Sequence, residues 1–155
     1  MDSLVSEVLR KKGDEVVTAS PEATVAAAVQ LMNERNVGAV CVIEDGKLCG
    51  IFTERDVLRR VIDGCLDPDT TPLFDVMTRQ LTVIGPNATV TDALAAVNSR
   101  NCRHLPVLEG DELVGVLSIR DLTAWIVDGQ EHQIAELVDY IYGGYGSTSG
   151  ARIGQ

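Results

Sequence analysis

One stretch of this chain is written twice. With Pro21 set on Pro86, residues 21–64 align with 86–129 without a gap, a constant shift of 65 positions, and 16 of the 44 pairs are identical. Ordinary residue frequencies give about three or four identities over that length. The matches cluster: Ala23-Thr24-Val25 on Ala88-Thr89-Val90, Arg35-Asn36 on Arg100-Asn101, and Arg55-Asp56 on Arg120-Asp121. A repeat this long sets the architecture, because one supersecondary unit must pack against its own copy.

Both copies carry the same periodicities. A short apolar stretch, 15–19 or 81–84, ends at a turn containing Pro21 or Pro86. Thr24 and Thr89 then stand where helix N-caps belong, since a hydroxyl there accepts from a free N–H of the first turn. Val25, Ala28, Val29 and Met32, and in the second copy Val90, Ala93, Leu94 and Val97, make the i, i+3, i+4, i+7 stripe of a helix lying on a sheet. Two short strands follow in each copy, 39–43 with 48–52 and 105–108 with 113–117. Their near-continuous aliphatic content predicts burial on both faces. A second helix starts at Thr53 or Ser118, with Val57, Leu58, Val61 and Ile62 as its stripe in the first copy, and stops at Asp63-Gly64 or Asp128-Gly129. The unit is βαββα, so the fold class is α+β.

Helical turns precede the copies at 5–11 and 73–78, and Leu9 corresponds to Met77 only at a shift of 68. Residues 66–72, with Asp-Pro and Thr-Pro steps, link the units. The expected divisions are a first unit at 5–66, a second at 67–129, a further helix at 130–142 carrying Ile134, Leu137, Val138 and Ile141, and a Gly/Ser-rich flexible tail at 143–155.

The net charge of −10 opposes general nucleic-acid binding, which needs a field that attracts phosphate. A small anion can still be held by local arginines and helix N-termini. Cys41, Cys49, Cys65 and Cys102 show no metal-ligand spacing. Cys41 and Cys49 flank a turn at Asp45-Gly46. If Glu44 opposes Lys47, then Cys41 opposes Gly50, Cys49 opposes Val42, and the two thiols point to opposite faces, which forbids a disulfide. Reduced thiols, no basic-then-apolar leader at Met1-Asp2-Ser3-Leu4 and no apolar run of spanning length predict a cytoplasmic protein.

The repeated motif with chemistry in it is Gly50-Ile51-Phe52-Thr53-Glu54-Arg55-Asp56 and its twin Gly115-Val116-Leu117-Ser118-Ile119-Arg120-Asp121. [ST]-x-x-[DE] is a capping box, and that local role competes with any other. Each copy also offers a glycine that admits a ligand near the backbone, helix N–H groups and a hydroxyl for phosphate, and an arginine beside the carboxylate. A carboxylate can accept from both hydroxyls of a ribose. Phosphate donors and a diol acceptor at one strand-to-helix turn describe a nucleotide site.

These residues resemble a tandem pair of CBS domains, a Bateman module, over most of the chain. G-h-x-[ST]-x-x-D occurs twice, and the hairpins open with Asn36-Val37-Gly38-Ala39-Val40 and Asn101-Cys102-Arg103-His104-Leu105-Pro106-Val107. With Tyr140-Ile141-Tyr142-Gly143-Gly144-Tyr145 after the second copy, the chain looks like a small stand-alone two-CBS protein. The resemblance implies two βαββα units about a pseudo-twofold axis, with sheets facing across two clefts, and short helices at either terminus. It implies an adenosine ligand there, AMP first, with ATP, ADP, NADH or S-adenosylmethionine as alternatives. Asp56 and Asp121 would hold riboses, and Thr53, Arg55, Ser118 and Arg120 would meet phosphates. Thr18, Val37, Gly38, Ala39, Thr82, Arg103, His104 and Leu105 would line the adenine and phosphate regions.

The copies differ where Arg103-His104 replaces Gly38-Ala39 and where Trp125 replaces Arg60. For His104 a partly buried strand-start histidine competes with a ligand contact, and for Trp125 packing is the default. No catalytic set or metal cluster stands out, and His132, the second histidine, is on a separate segment. Enzymes with such pairs, the IMP dehydrogenases, need a (β/α)₈ barrel of roughly 250 residues for their chemistry. The expectation is a non-catalytic regulatory homodimer with an unidentified regulated partner, without nucleic-acid or membrane partners. The alternative is a ligand-independent dimerisation or interaction protein. A link to thioredoxin-type partners, which the resemblance raises, has no residue here to support it.

Overall fold

The structure, a computed structural model, describes residues 3–13 and 15–129. Helix α1 (Val5–Lys12) precedes the first copy, which runs β1 (Thr18–Ala19), α2 (Val25–Arg35), β2 (Ala39–Glu44), β3 (Lys47–Thr53) and α3 (Glu54–Asp56), continued by a π-helical segment, Val57–Ile62. The one-turn α4 (Leu73–Val76) then leads to α5 (Val90–Arg100), β4 (His104–Glu109), β5 (Glu112–Ser118) and α6, the helical residues 119–129. The expected helix at 130–142 and tail at 143–155 lie outside the described residues.

Local chemistry sets these boundaries. Thr24 accepts from Ala27 N–H at 3.1 Å. Thr89 and Asp92 exchange bonds of 3.0 Å in a full capping box. Both helices end on an asparagine in the left-handed region, Asn36 at φ 54° and Asn101 at φ 51°, a geometry that asparagine tolerates better than most residues. Asp45 and Gly46, at φ 53° and 77°, form a turn whose twist matches the flanking strands.

Strand β1 pairs parallel with β2, and β2 antiparallel with β3; in the second copy β4 pairs antiparallel with β5. Stretch 81–84 contributes only a parallel bridge, Ile84 to Val107. Glu44 opposes Lys47, but the rest of the expected register is corrected. A bulge between Val42 and Ile43 sets Cys41 against Ile51 and Val42 against Gly50. The same irregularity falls between Val107 and Leu108. One extra residue on the return strand shifts every later pairing by one.

The second-helix stripe is also corrected. Val61 is buried, whereas Leu58 and Ile62 are 65% and 61% exposed. Asp63 N–H reaches back five residues to Leu58 O at 3.1 Å, and Leu66 to Val61 O at 2.9 Å. The wider π turn advances each residue less, so 57 and 61 stay inward while 58 and 62 swing out. The positive-φ residue that ends this segment is Cys65, at 56°, rather than Gly64.

The two hydrophobic cores are built by exchange. Val5, Val8 and Leu9 of α1 belong to the core of the second copy with Val90, Leu105, Leu117 and Leu122. Leu73, Val76 and Met77, which precede the second copy, belong to the core of the first with Val40, Phe52 and Val61. The backbone records the exchange pair by pair. Val5 N–H donates to Ala88 O (2.8 Å), Ser6 to Pro86 O (2.9 Å) and Val90 to Ser3 O (2.8 Å). Their counterparts are Leu73 to Ala23 O (2.8 Å), Phe74 to Pro21 O (3.0 Å) and Val25 to Thr71 O (2.9 Å). Strands β3 and β5 meet at the seam between the units. No helix among the described residues is long and apolar enough to cross a membrane.

Candidate functional site

Each strand β3 or β5 delivers its hydroxyl to the first turn of the next helix. Thr53 N–H donates to Asp56 Oδ2 (3.0 Å), and Asp56 N–H returns a bond to Thr53 Oγ1 (3.3 Å). Ser118 and Asp121 repeat this at 2.8 and 3.1 Å. Both motifs are therefore capping boxes, and the question is what else each carboxylate can do.

The hairpin approaches fold over these turns. Glu54 N–H donates to Gly38 O (3.0 Å), as Ile119 N–H does to Arg103 O (2.9 Å). A side chain at Gly38 would collide with the Glu54 carboxylate and stand 3.4 Å from His104 Nε2. Arg55 Nη1 donates across the seam to Asn101 O (3.2 Å). Gly38, Arg55, Arg103, His104 and both capping boxes thus share one junction. Ala39 opposes Thr53 and His104 opposes Ser118 in the hairpin registers; Leu105 is buried behind them. Thr18 and Val37 are exposed, Thr18 pairing with Cys41 at the outer edge of the sheet. Thr82 stands two residues before the Ile84 bridge, and Arg120 is exposed.

His104 sits among charges of both units. Burial pushes its basicity down; Glu54 and Asp121 pull it up, Lys12 and Arg103 push it further down, and the net direction is down. For Asp121, burial raises the carboxyl, but bonds from Lys12 and Ser118 outweigh it and hold it below its ordinary range.

Three partners were not read from the sequence. Lys12 Nζ lies 2.7 Å from Asp121 Oδ2 and also donates to Val116 O. Thr78 Oγ1 lies 3.1 and 3.3 Å from the two oxygens of Asp56. Arg60 Nε stands 3.6 Å from Asp56 Oδ1, while its Nη1 donates to Val76 O and Met77 O at 3.2 and 2.8 Å. Lys12 and Thr78 come from the exchanged arms, whereas Arg60 lies four residues after Asp56 and touches the arm only through its bonds to Val76 O and Met77 O. The shift of 68 that relates Leu9 to Met77 carried the signal, since arms in a register of their own need not pack on the copies that follow them. Trp125, at the place of Arg60, packs beside the second core with Lys11 Nζ 5.6 Å from its ring centre.

A separate groove of about 720 Å³ runs between α2 and the π-helical segment, lined by Val25, Val29, Val61, Ile62 and Pro68 among others. None of the candidate nucleotide-binding residues lines it. The candidate residues with hydroxyl, guanidinium and carboxylate groups gather at the seam, whereas this groove is an apolar surface feature.

The family model for the CBS domain matches twice, over residues 5–63 and 73–128. A mitochondrial CBS domain-containing protein of Arabidopsis thaliana, CBSX3, is 32% identical over 150 residues, covering 91% of this chain and 73% of its own. A crystal structure of a CBS domain, NE2398, superposes with a TM-score of 0.78 at 37% identity, covering 81% of this chain and 98% of that one. The CBS domain pair of MJ0100, solved with 5′-methylthioadenosine and S-adenosyl-L-methionine, shares the fold at a TM-score of 0.73 and 18% identity, covering 83% of this chain and 99% of its own. Two family matches, a repeated G-h-x-[ST]-x-x-D and solved structures of the same architecture lead to one assignment: this chain belongs to the CBS-domain family and consists of a tandem CBS pair.

Proposed function

We propose that the chain is a non-catalytic regulatory module that senses cellular adenosine ligands by binding an adenine nucleotide between its two CBS units. AMP is the first candidate, with ATP, ADP or NADH as alternatives. The observation that carries this reading is the junction itself. A helix-opening hydroxyl, an adjacent arginine and a carboxylate occur twice, and the hairpin of one unit reaches the other through Arg55 and His104. In this reading a ribose diol is accepted by a motif carboxylate, and Thr53, Arg55, Ser118 and Arg120 face phosphate. Thr18, residues 37–39, Thr82 and residues 103–105 surround the base. The adenosine compounds bound by the MJ0100 pair support the ligand class. Occupancy would stiffen the seam, and any association that senses the seam would shift by the differential affinity.

Thermal shift with AMP, ADP, ATP, NADH and S-adenosylmethionine tests it. At a ligand concentration of 100 times Kd, stabilisation is about 2.7 kcal/mol, which is readily seen. Asp121→Ala removes hydrogen bonds to a charged acceptor, about 1.5–3 kcal/mol each, so affinity falls roughly tenfold or more. A flat response to all five ligands would sink the reading. It would favour a ligand-independent interaction module, to which the capping role of both motifs already lends an observation.

The reading includes a homodimer. Its support is the apolar groove and the exposed Leu58 and Ile62 beside it.

A further inference from the structure

We infer that the two half-sites are unequal by construction: the ligand's diol is taken at Asp121, where Lys12 gives way, and Asp56 is a structural carboxylate, so one nucleotide binds per chain. The inference rests on the adenosine reading and decides which half of the pair carries it.

The difference begins in the two arms. In the first copy the chain leaves α4 after a single turn and runs extended, so Thr78 exchanges two backbone bonds with Ile51, at 2.9 and 2.8 Å. That bridge fixes the Thr78 hydroxyl against both oxygens of Asp56. Thr53 adds its N–H and its hydroxyl, at 3.0 and 3.2 Å, and Arg60 closes the remaining side. The Asp56 side chain is 8% exposed. Each of its oxygens faces donors that belong to the fold. A ribose would have to break a backbone-pinned contact and displace an arginine that is also capping α4.

In the second copy α1 continues for two turns, and no described residue of the arm pairs with β5. The missing donors are supplied by one side chain. Val116 corresponds to Ile51 in the repeat, and Lys12 Nζ donates to Val116 O where Thr78 N–H donates to Ile51 O. The same ammonium contacts Asp121 Oδ2 where the Thr78 hydroxyl contacts Asp56. Lys12 therefore donates alone where the Thr78 N–H and hydroxyl donate together, although an ammonium cannot supply the acceptor that Thr78 O gives the Ile51 N–H. A lysine on the last residue of a helix, with a third of its side chain exposed, can swing away without breaking backbone pairing. Trp125 replaces Arg60, so no second cation takes its place. The bonds to Asp121 from the Ser118 N–H and from Lys12 both fall on Oδ2, and the side chain is 22% exposed. A diol accepted by both oxygens needs Oδ2 as well, where the Ser118 N–H and the ammonium already sit. The ammonium is the partner that can leave.

Titration calorimetry of the full chain with AMP gives the stoichiometry, and one site per chain is expected. Two equal sites would overturn the inference while leaving the adenosine reading intact. No binding of AMP, ADP, ATP, NADH or S-adenosylmethionine would overturn both. Asp121→Asn keeps an acceptor for the Ser118 N–H, so the cap survives, and it should weaken AMP at least tenfold; a remaining site of wild-type affinity would contradict the inference. With adenosine, which has the diol and no phosphate, Lys12→Met should bind about two- to fivefold more tightly, the worth of a partly exposed ion pair that no longer competes. Weaker or unchanged adenosine binding in that variant would overturn the displacement of Lys12.

Discussion

Leu9 lies against Gly115 as Met77 lies against Gly50. A Cβ on Gly115 would stand 2.7 and 2.9 Å from the two Leu9 methyls and 3.3 Å from its Cγ; one on Gly50 would stand 2.6 Å from Met77 Sδ. Each motif glycine is thus the floor on which the other unit's arm rests. Its smallness serves the exchange of arms as well as any ligand.

Gly115→Ala should destabilise the fold by about 1–3 kcal/mol, because the whole Leu9 side chain, buried in the second core, would have to move. Gly50→Ala should cost less, since an unbranched thioether re-packs more easily. Leu9→Ala should cost about 2–5 kcal/mol. Its loss of hydrogen-exchange protection should fall on β4 and β5, far along the chain, and spare β2 and β3. Urea denaturation of the Leu9→Ala, Gly115→Ala double variant should show less than the sum of the two costs, because the pair share one contact.

A pH dependence follows from His104. Its folded-state basicity is depressed, so the unfolded chain takes up a proton that the folded chain refuses. The associated stability is fully present above the ordinary imidazole value of 6.5 and is lost as pH falls from there through the folded-state value. His104→Gln should flatten the decline in urea midpoint between about pH 7.5 and pH 5.5 relative to wild type. An unchanged slope would place the histidine in a setting that does not resist protonation.

Much of this fold was legible because the repeat carried it. Thr24, Thr89, Thr53 and Ser118 cap the helices they were expected to cap, and the hairpin strands extend a residue or so beyond their apolar cores, whereas the stretches 15–19 and 81–84 shrink to Thr18–Ala19 and a single bridge at Ile84. The pairing of Cys41 was misjudged because a bulge leaves no mark in apolar content. The stripe of the second helix failed at Leu58 and Ile62 because a period of 3.6 was assumed where the turn is wider. Thr78 as a partner of Asp56, and Lys12 as a partner of Asp121, were out of reach for a different reason. Lys12 and Asp121 are 109 positions apart, and only the exchange of arms brings them together. The 68-residue register of Leu9 and Met77 was visible, but its consequence is spatial.

The outward swing of Leu58 and Ile62 makes a testable surface. Ile62 borders the apolar groove and is 61% exposed, so a charge there should leave the monomer fold intact. If this face joins two copies, Ile62→Glu would bury a carboxylate without a partner and weaken association by about 100-fold or more. Light scattering coupled to size exclusion should then show a dimer for wild type and a monomer for Ile62→Glu. Identical masses for both would place any self-association elsewhere.

The inequality of the two carboxylates also predicts unequal stability costs, independent of any ligand. Asp56→Ala strands the Thr53 N–H, the Thr78 hydroxyl and one side of Arg60 at a site that is 6% exposed. Leaving buried donors without acceptors costs about 1–3 kcal/mol apiece before relaxation, so a loss of about 3 kcal/mol or more is expected. Asp121→Ala removes one cap bond and a partly exposed ion pair, about 1 kcal/mol in all. Urea unfolding followed by circular dichroism reports the global cost. The fluorescence of Trp125, the single tryptophan of the chain, reports the second unit. The two signals should coincide for Asp121→Ala, where the arm still joins both cores. For Asp56→Ala the loss should begin in the first unit, with circular dichroism changing before the tryptophan does. Equal costs for the two substitutions would mean that Asp56 is no more a structural residue than Asp121, and the physical basis for a one-sided pair would be gone.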